Sequence, residues 1–191
     1  KDDRLYDSKS FIRFRFILFW KGSVIMELKP RHIEFRDSID SIINQPKVQE
    51  MSRISQHVNG ISCLDHCLFV SYMSFAVCKK LGLDANAAAR GALLHDLYLC
   101  NWDYTDIGHW KRLTIHPQMA LENAREFGLS NLEKDIISKH MWPITLFHIP
   151  VHRESAVVNL ADKICATAEM CGIYWHLKTK TQLRCLNRAL A

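Results

Sequence analysis

Several motifs that define large enzyme classes are missing from this sequence. It has no glycine-rich loop to cradle phosphates, no dinucleotide fingerprint and no Gly-x-Ser-x-Gly elbow. The sequence therefore lacks the usual evidence for a nucleotide-driven motor, a Rossmann oxidoreductase or a serine esterase. Internal repeats, low-complexity tracts and convincing strand alternation after residue 25 are absent too. The lack of strands and repeats predicts an all-α fold, and a length of 191 residues predicts a single domain.

Dense runs of lysine and arginine are also lacking. The formal net charge is +5, and the first 25 residues supply +3 of it, with six Lys/Arg against three Asp. The other residues, 26–191, keep the remaining +2 (+5 less +3), which is too little for the basic face that a long nucleic acid requires. We therefore expect no long nucleic acid among the partners.

No apolar run is long enough to cross a membrane. The strongest run, FIRFRFILFW at 11–20, is interrupted by Arg13 and Arg15 and falls short of the roughly 20 residues that a spanning helix needs. It has acidic residues before it and no small-residue cleavage site after it, so a signal peptide is not predicted. We expect 1–25 to be a non-essential extension, 26–191 to form one domain, and the protein to contact no membrane.

Paired Cys-x2-Cys elements, the usual mark of a structural zinc site, are missing as well. Seven cysteines form an odd set within mostly apolar stretches, which is typical of free thiols in a reducing compartment and predicts a cytoplasmic protein. Cys63 and Cys67 have the i, i+4 spacing of a zinc pair beside His66. Without a second pair, small core residues are the favoured interpretation of these two thiols.

Periodicity and helix-end signals predict the first half of the fold. One helix runs from Pro30 to about Asn44. Asp84 caps an alanine-rich helix that is expected to reach about Leu99. Between them a helix over 62–81 has one apolar stripe, which contains Cys63, His66, Phe69, Val70, Met73, Val77 and Leu81.

The second half begins with an aromatic, charged and poorly periodic segment, 100–116, which is typical of a long loop beside a functional site. The pair His116–Pro117 is predicted to open the next helix, with proline in its first turn, and Gly128 to end it. A capping box at Ser130–Glu133 starts a helix that reaches about His140. Two further helices complete the prediction, over 154–171 and about 174–189.

Titratable side chains interrupt the apolar pattern of these helices. Each of six lies at a predicted helix end or on an inward stripe: His66, His95, Asp96, His116, His140 and Asp162. A buried imidazole or carboxylate needs a partner, and for each one alone a hydrogen-bonded core residue is sufficient explanation. Together, imidazole and carboxylate donors suit Fe, Mn, Zn or Ni better than Ca, and the lack of thiolates disfavours a purely structural zinc site.

The order of these residues resembles the HD-domain metal-dependent phosphohydrolase superfamily in its dinuclear version. The array reads His66, x28, His95-Asp96, x19, His116, x23, His140, x21, Asp162. The segments LDHCLFVSYMSFAVCKKLGLDANAAARGALLHDL and ALENAREFGLSNLEKDIISKHM are similar to core helices of that family. The resemblance covers about 57–172 and implies an all-α bundle of five core helices plus flanking helices.

The resemblance implies two divalent metal ions, with Fe or Mn expected first and Zn, Ni or Mg as alternatives. One ion would be held by His66, His95, Asp96 and Asp162, and Asp96 would bridge to a second ion held by His116 and His140. Two such ions lower the pKa of a shared water, so that a bridging hydroxide attacks phosphorus. The implied reaction is hydrolysis of a phosphoester or phosphoanhydride bond in a nucleotide or another small phosphorylated metabolite.

Phosphate needs further positive charge beside the metal ions, and four residues are candidates to contact the substrate. Lys163 and Lys139 each adjoin an expected ligand and are expected to act with Asp96 in catalysis. Arg90 lies one and a half turns before a ligand and His57 nine residues before another, and both are expected to bind substrate. Ordinary surface exposure is the alternative for the charged side chains.

Other functions use the same ligand set. Some HD proteins hold a mixed-valence di-iron centre and use oxygen to cleave a carbon bond, and others are non-catalytic sensors of a metal or nucleotide. All six ligand positions are filled here, which favours an enzyme over a sensor. Leu97-Tyr98-Leu99 replaces the Ile-Gly-Lys of many members. Met141 follows His140 where cyclic-dinucleotide phosphodiesterases have their signature. The identity of the substrate therefore stays open. A homodimer is a further expectation.

Overall fold

The structure, a computed structural model, describes residues 30–56, 60–100 and 108–172. In these ranges the chain is all-α, as predicted, and no β-strand occurs apart from an isolated bridge between Ser55 and Ser62. Short 3-10 turns cover Met51–Arg53 and Arg125–Phe127. The α-helices are α1 (Pro30–Ile43), α2 (Pro46–Glu50), α3 (Cys63–Leu81), α4 (Ala85–Leu94), α5 (His109–Asn123), α6 (Asn131–Lys139) and α7 (Arg153–Met170).

Some of the predictions concern residues outside the described ranges. These are the N-terminal extension over 1–25, the candidate His57 and the final helix over about 174–189. Among the residues that are described, no helix is both long and apolar enough to cross a membrane.

Short-range hydrogen bonds set the ends of α3 and α6. Ser62 precedes α3, and its hydroxyl accepts from the backbone N–H of Asp65 at 3.1 Å. Ser130 and Glu133 form the predicted capping box of α6, with Ser130 N donating to the Glu133 carboxylate at 2.7 Å. Gly82 ends α3 with a φ of 68°, a left-handed conformation that glycine adopts without strain.

The centre of the core is α3, which packs against α4 and α7. Its inward face differs from the predicted stripe in the second half of the helix. Val77 and Leu81 are 38% and 61% exposed, whereas Ser71, Ser74 and Cys78 are fully buried. The hydroxyl of Ser71 donates to the backbone oxygen of Ala89 on α4 at 2.7 Å. Small side chains let the two helices approach closely, and this packing outweighs the periodicity of the larger apolar residues.

The largest correction concerns α5. The prediction of a helix opening at His116–Pro117 was wrong, because α5 begins at His109 and contains Pro117 in its interior. Of the loop predicted over 100–116, residues 109–116 are helical, and residues 101–107 lie outside the described ranges. His116 therefore lies within the helix rather than at its start. An internal proline removes a backbone hydrogen bond and costs about 3 kcal/mol, so the packing of α5 on α6 must outweigh a local preference that pointed to a helix start.

Two other helix ends were predicted too late. The alanine-rich helix α4 ends at Leu94 instead of Leu99, and His95 is its C-cap. The helix expected to reach Gly128 ends at Asn123, and a 3-10 turn leads to Gly128, which has a φ of 64°. In both cases residues with helical propensity follow the last helical hydrogen bond. Because composition reports propensity and not where the helix ends, the predicted ends were too late.

Helices α4 and α6 approach each other closely at Gly91. A Cβ at this position would lie 2.9 Å from Cδ1 and 3.1 Å from Cβ of Ile136, which is 1% exposed. Because the Cβ of Ile136 is fixed to its backbone, a side-chain rotation cannot remove the whole overlap. The absence of a side chain at Gly91 is therefore a condition for this helix pair.

Gly91→Ala is expected to lower the free energy of unfolding by about 1–2 kcal/mol, although alanine gains about 1 kcal/mol in helix propensity. Urea denaturation measures the change. Ile136→Val removes the nearest carbon atom, so Gly91→Ala/Ile136→Val should lose less stability than the sum of the two single variants. Additive losses, or a more stable Gly91→Ala, would show that the overlap does not decide the packing.

Candidate metal centre

Buried side chains from five helices meet where α3, α5 and α7 pass the ends of α4 and α6. They are the six ligands expected from the sequence: His66 on α3, His95 and Asp96 directly after α4, His116 on α5, His140 at the end of α6 and Asp162 on α7. None is more than 8% exposed. The fold thus brings together residues that are as many as 96 positions apart in the chain.

The first group of donor atoms surrounds Oδ1 of Asp162. This oxygen lies 3.1 Å from Nε2 of His66 and 3.6 Å from Nε2 of His95. The same nitrogen of His95 is 3.6 Å from Oδ2 of Asp96. Donor atoms that bind one ion at about 2.1 Å stand about 3.0–3.4 Å apart in octahedral or tetrahedral geometry. The observed separations are therefore of the right size for a cation.

The second group surrounds the other carboxylate oxygen of Asp96. Oδ1 lies 3.4 Å from Nε2 of His116 and 3.5 Å from Nε2 of His140. The two Nε2 atoms are 2.8 Å apart. The two oxygens of one carboxylate thus face different sets of imidazoles, which is the arrangement that lets a carboxylate bridge two cations.

Backbone carbonyls orient three of the four imidazoles. A carbonyl only accepts hydrogen bonds, so Nδ1 of each of these rings carries a proton. In a neutral ring, Nε2 then presents its lone pair to the centre, as a metal ligand does. The donor–acceptor distances are 2.7 Å from His95 to Ala92 O, 2.9 Å from His116 to Arg112 O and 2.8 Å from His140 to Ile137 O.

Several polar atoms of the cluster lack a satisfying partner among the described residues. Nε2 of His95 and Oδ1 of Asp96 are buried without a hydrogen bond. Nε2 of His116 and Nε2 of His140, at 2.8 Å, would direct lone pairs at each other. An unpaired buried polar atom costs about 1–3 kcal/mol, and a cation between these atoms removes that cost. The donor set therefore fits a bound metal.

Burial and neighbouring charge shift the pKa values of this group. Burial lowers the pKa of His116 to about 4, with Asp96 opposing the shift and His140 adding to it. His116 is therefore neutral near pH 7, the form that binds metals. Burial acts to raise the pKa of Asp96, but His95, His140 and His116 outweigh it and hold the pKa well below its usual range. The carboxylate is thus ionised and available as a ligand.

Glu169 on α7 is a buried residue that the sequence analysis missed. Nδ1 of His66 lies 2.9 Å from Oε1 of Glu169, and Glu169 is 1% exposed. Burial acts to lower the pKa of His66, but hydrogen bonds to Asp162 and Glu169 outweigh it and raise the pKa well above its usual range. A carboxylate behind a ligating histidine fixes the ring and increases its basicity. The available signal was position, since Glu169 follows Asp162 by two helical turns.

Gln56 and Tyr98 are two more residues that the sequence analysis missed. Nε2 of Gln56 donates to Oδ2 of Asp96 at 2.7 Å, and the hydroxyl of Tyr98 donates to Oε1 of Gln56 at 3.0 Å. This chain of hydrogen bonds orients the Asp96 carboxylate. Gln56 carried no sequence signal, because it lies in an irregular segment 40 positions from the residue it contacts.

The two lysines expected near the substrate occupy different positions. Nζ of Lys163 is 3.7 Å from Oδ2 of Asp162 and donates to the backbone oxygen of His140 at 2.8 Å, so it lies beside the cluster. Nζ of Lys139 instead pairs with Asp135 at 2.6 Å. Asp135 also accepts from backbone N–H groups just before α7, so this pair connects α6 to α7 rather than pointing at the ligands.

Arg90 is not brought together with the six ligands. Its Nε pairs with Glu133 at 2.6 Å, and its other nitrogens donate to Ser41 Oγ at 2.8 Å and to the backbone oxygen of Phe127 at 3.1 Å. These contacts join α1, α4 and the start of α6. The guanidinium of Arg90 is thus engaged by structural partners, and the expectation that it binds substrate stays a prediction that these contacts do not support.

The fold and the cluster define a class: a helical domain whose buried imidazoles and carboxylates can hold divalent metal. The family model described as the HD domain matches residues 63–167, more than half of the chain. The chain therefore belongs to the HD-domain family, whose members bind divalent metals. This confirms the resemblance inferred from the order of the histidines and aspartates.

A curated protein and a solved domain are among those to which the chain is similar. Ribonuclease Y of Pseudothermotoga lettingae is 31% identical over 107 residues, which cover 56% of this chain and 19% of the relative. The chain thus spans about a fifth of the length of that protein. The HD domain of the L. monocytogenes phosphodiesterase PgpH, alone and in complex with cyclic-di-AMP, is 17% identical with a TM-score of 0.45, covering 66% of this chain and 74% of that chain.

Glu169→Gln is expected to weaken metal binding about 10- to 100-fold, because the amide keeps an acceptor for His66 but loses the charge that increases the basicity of the ring. Titration of metal-free protein with Mn²⁺ measures the affinity. Glu154→Gln, in the first turn of the same helix, is the matched control and should bind like wild type. Equal affinities in all three proteins would contradict a role for Glu169 in positioning His66.

Proposed function

We propose that this chain is a metal-dependent hydrolase of phosphoester or phosphoanhydride bonds. The observation that carries the proposal is the Asp96 carboxylate, whose two oxygens face different groups of imidazoles. One of these oxygens is buried without a hydrogen bond. Membership of the HD-domain family supports the same chemistry.

The proposed ligands divide between two divalent ions, Fe or Mn in the first instance. One ion would be held by His66, His95, Asp96 and Asp162, and the other by Asp96, His116 and His140. Two cations in such a site supply an activated water and positive charge that polarises a phosphoryl oxygen. The chain itself contributes oriented Nε2 lone pairs and buried surroundings that strengthen electrostatic attraction. This arrangement does not need a protein general base.

Lys163 is the proposed phosphate contact. Its ammonium lies 3.7 Å from Oδ2 of Asp162, and its side chain is 37% exposed, so it can reach both the cluster and solvent. The ammonium would bind a non-bridging phosphate oxygen as that oxygen gains charge in the transition state. Lys139, which we expected in a similar role, would have to leave Asp135 first.

The proposed substrates are nucleotides and other small phosphorylated metabolites. Similarity to a ribonuclease over 107 residues adds the phosphodiester bonds of short RNA to this class. Residues 26–191 carry a formal charge of +2 by the count above, which favours short substrates over long nucleic acids.

Elemental analysis of protein purified without chelator tests the assignment of ligands. Wild type is expected to hold two ions per chain, and Asp96→Ala close to none because both sites lose their shared ligand. His116→Ala and His140→Ala are each expected to keep one. His148→Ala replaces an exposed histidine and should match wild type. A content of two ions in every variant would exclude the proposed ligand set.

Hydrolysis of bis(p-nitrophenyl) phosphate, a nucleotide panel and short RNA, with Mn²⁺ or Fe²⁺ added, tests the reaction. Activity should require metal and fall by more than about 100-fold in His116→Ala, since losing only an outer partner of a ligand already costs 10- to 100-fold. No hydrolysis of any of these substrates, together with the electron paramagnetic resonance signal of a half-reduced di-iron pair, would instead favour oxygen-dependent cleavage of a carbon bond.

A further inference from the structure

Two thiols lie against the metal centre without belonging to its expected ligands. Cys63 and Cys67 are one turn apart on α3, and both are 0% exposed. Sγ of Cys63 donates to the backbone oxygen of Asp96 at 3.4 Å, and Sγ of Cys67 lies 3.7 Å from Nδ1 of His95. The two sulfurs and one carboxylate oxygen of Asp96 are all within 4.8 Å of one another.

These three donors have the dimensions of a metal site. Around a tetrahedral ion with metal–sulfur bonds of about 2.3 Å, two sulfurs stand about 3.8 Å apart. Starting from separations of at most 4.8 Å, the side chains need only small rotations to reach that distance. Residues at i and i+4 on a helix present their side chains on one face, as the two zinc-binding histidines of metalloproteases do.

The Asp96 carboxylate, which the imidazole centre also uses, is the third donor of this group. Its Oδ1 is buried and has no hydrogen-bond partner in the described part of the chain. Asp96 itself is 6% exposed, so solvent does not compensate for the missing contact. An ion that binds the two sulfurs would find an ionised, incompletely satisfied carboxylate as its third donor.

The two donor sets around Asp96 prefer different metals. Thiolates prefer soft ions such as Cd²⁺ and Cu⁺, and also bind Zn²⁺ tightly, whereas imidazoles and carboxylates suit Mn²⁺ and Fe²⁺. A thiophilic ion that enters the site is therefore expected to bind the sulfurs in preference to the imidazoles.

We propose that Cys63, Cys67 and Asp96 form a thiophilic metal site that overlaps the imidazole centre. Binding releases one proton from each thiol to solvent and draws the Asp96 carboxylate toward the sulfurs. Because both groups of imidazoles share Asp96, occupation of the thiol site displaces Mn²⁺ or Fe²⁺ from the centre. Binding at the thiols is independent of the proposed hydrolysis, whereas inhibition of hydrolysis rests on it.

Titration of the metal-free full chain with Cd²⁺ tests binding at the thiols. The readout is the ultraviolet charge-transfer absorption of cadmium thiolate, which imidazoles and carboxylates do not produce. Wild type should show a saturable band, and Cys63→Ser/Cys67→Ser should lose most of it. Cys78→Ser, which replaces another buried thiol of α3, should keep it.

A band of equal strength in the double variant, or none in wild type, overturns the proposal. The single variants Cys63→Ser and Cys67→Ser provide the same test if the double variant does not fold. Each should bind Cd²⁺ about tenfold or more weakly than wild type, because each loses one of two thiolate ligands.

Release of Mn²⁺ from loaded protein tests the overlap. Cd²⁺ should release Mn²⁺ from wild type at about tenfold lower concentration than from Cys63→Ser/Cys67→Ser, with parallel loss of phosphodiester hydrolysis. Equal release from both proteins overturns the overlap. Thiol-dependent release in protein that hydrolyses none of the substrates would support the thiophilic site and contradict the hydrolase, so the two proposals fail separately.

Discussion

A carboxylate buried among imidazole rings is stable only when hydrogen bonds or positive charge replace the water that it loses. Asp96 meets this condition in part, since Gln56 donates to Oδ2 while Oδ1 faces His116 and His140 without a hydrogen bond. The missing interaction lies where five helices meet. Metal binding at this point would therefore be coupled to the packing of the whole domain.

The ends of two helices position ligands by satisfying the backbone. His95 is the C-cap of α4 and His140 is the C-cap of α6, and each donates from Nδ1 to a carbonyl in the last turn of its own helix. Such carbonyls have no partner within the helix. One hydrogen bond thus caps the helix and turns Nε2 toward the centre, so that the geometry of the helix end also sets the geometry of the site.

Local signals predicted the helices where hydrogen bonds between near neighbours decide the structure. The capping box of α6 at Ser130 was predicted correctly because its partners are three residues apart. The start of α5 was predicted too late, since Pro117 marks a helix start by local preference but lies in the helix interior. Packing between distant elements decided that case, and a single sequence does not contain those distances.

By itself the sequence determined the all-α class and the order and spacing of the six candidate ligands, because these depend on residue type and on position along the chain. The tertiary structure alone decided which nitrogen of each imidazole faces the centre, that Glu169 supports His66, and that Arg90 is engaged by Glu133. It also placed the thiols of Cys63 and Cys67 beside Asp96. All of these depend on distances between atoms that belong to different helices, and such distances exist only after the helices have packed.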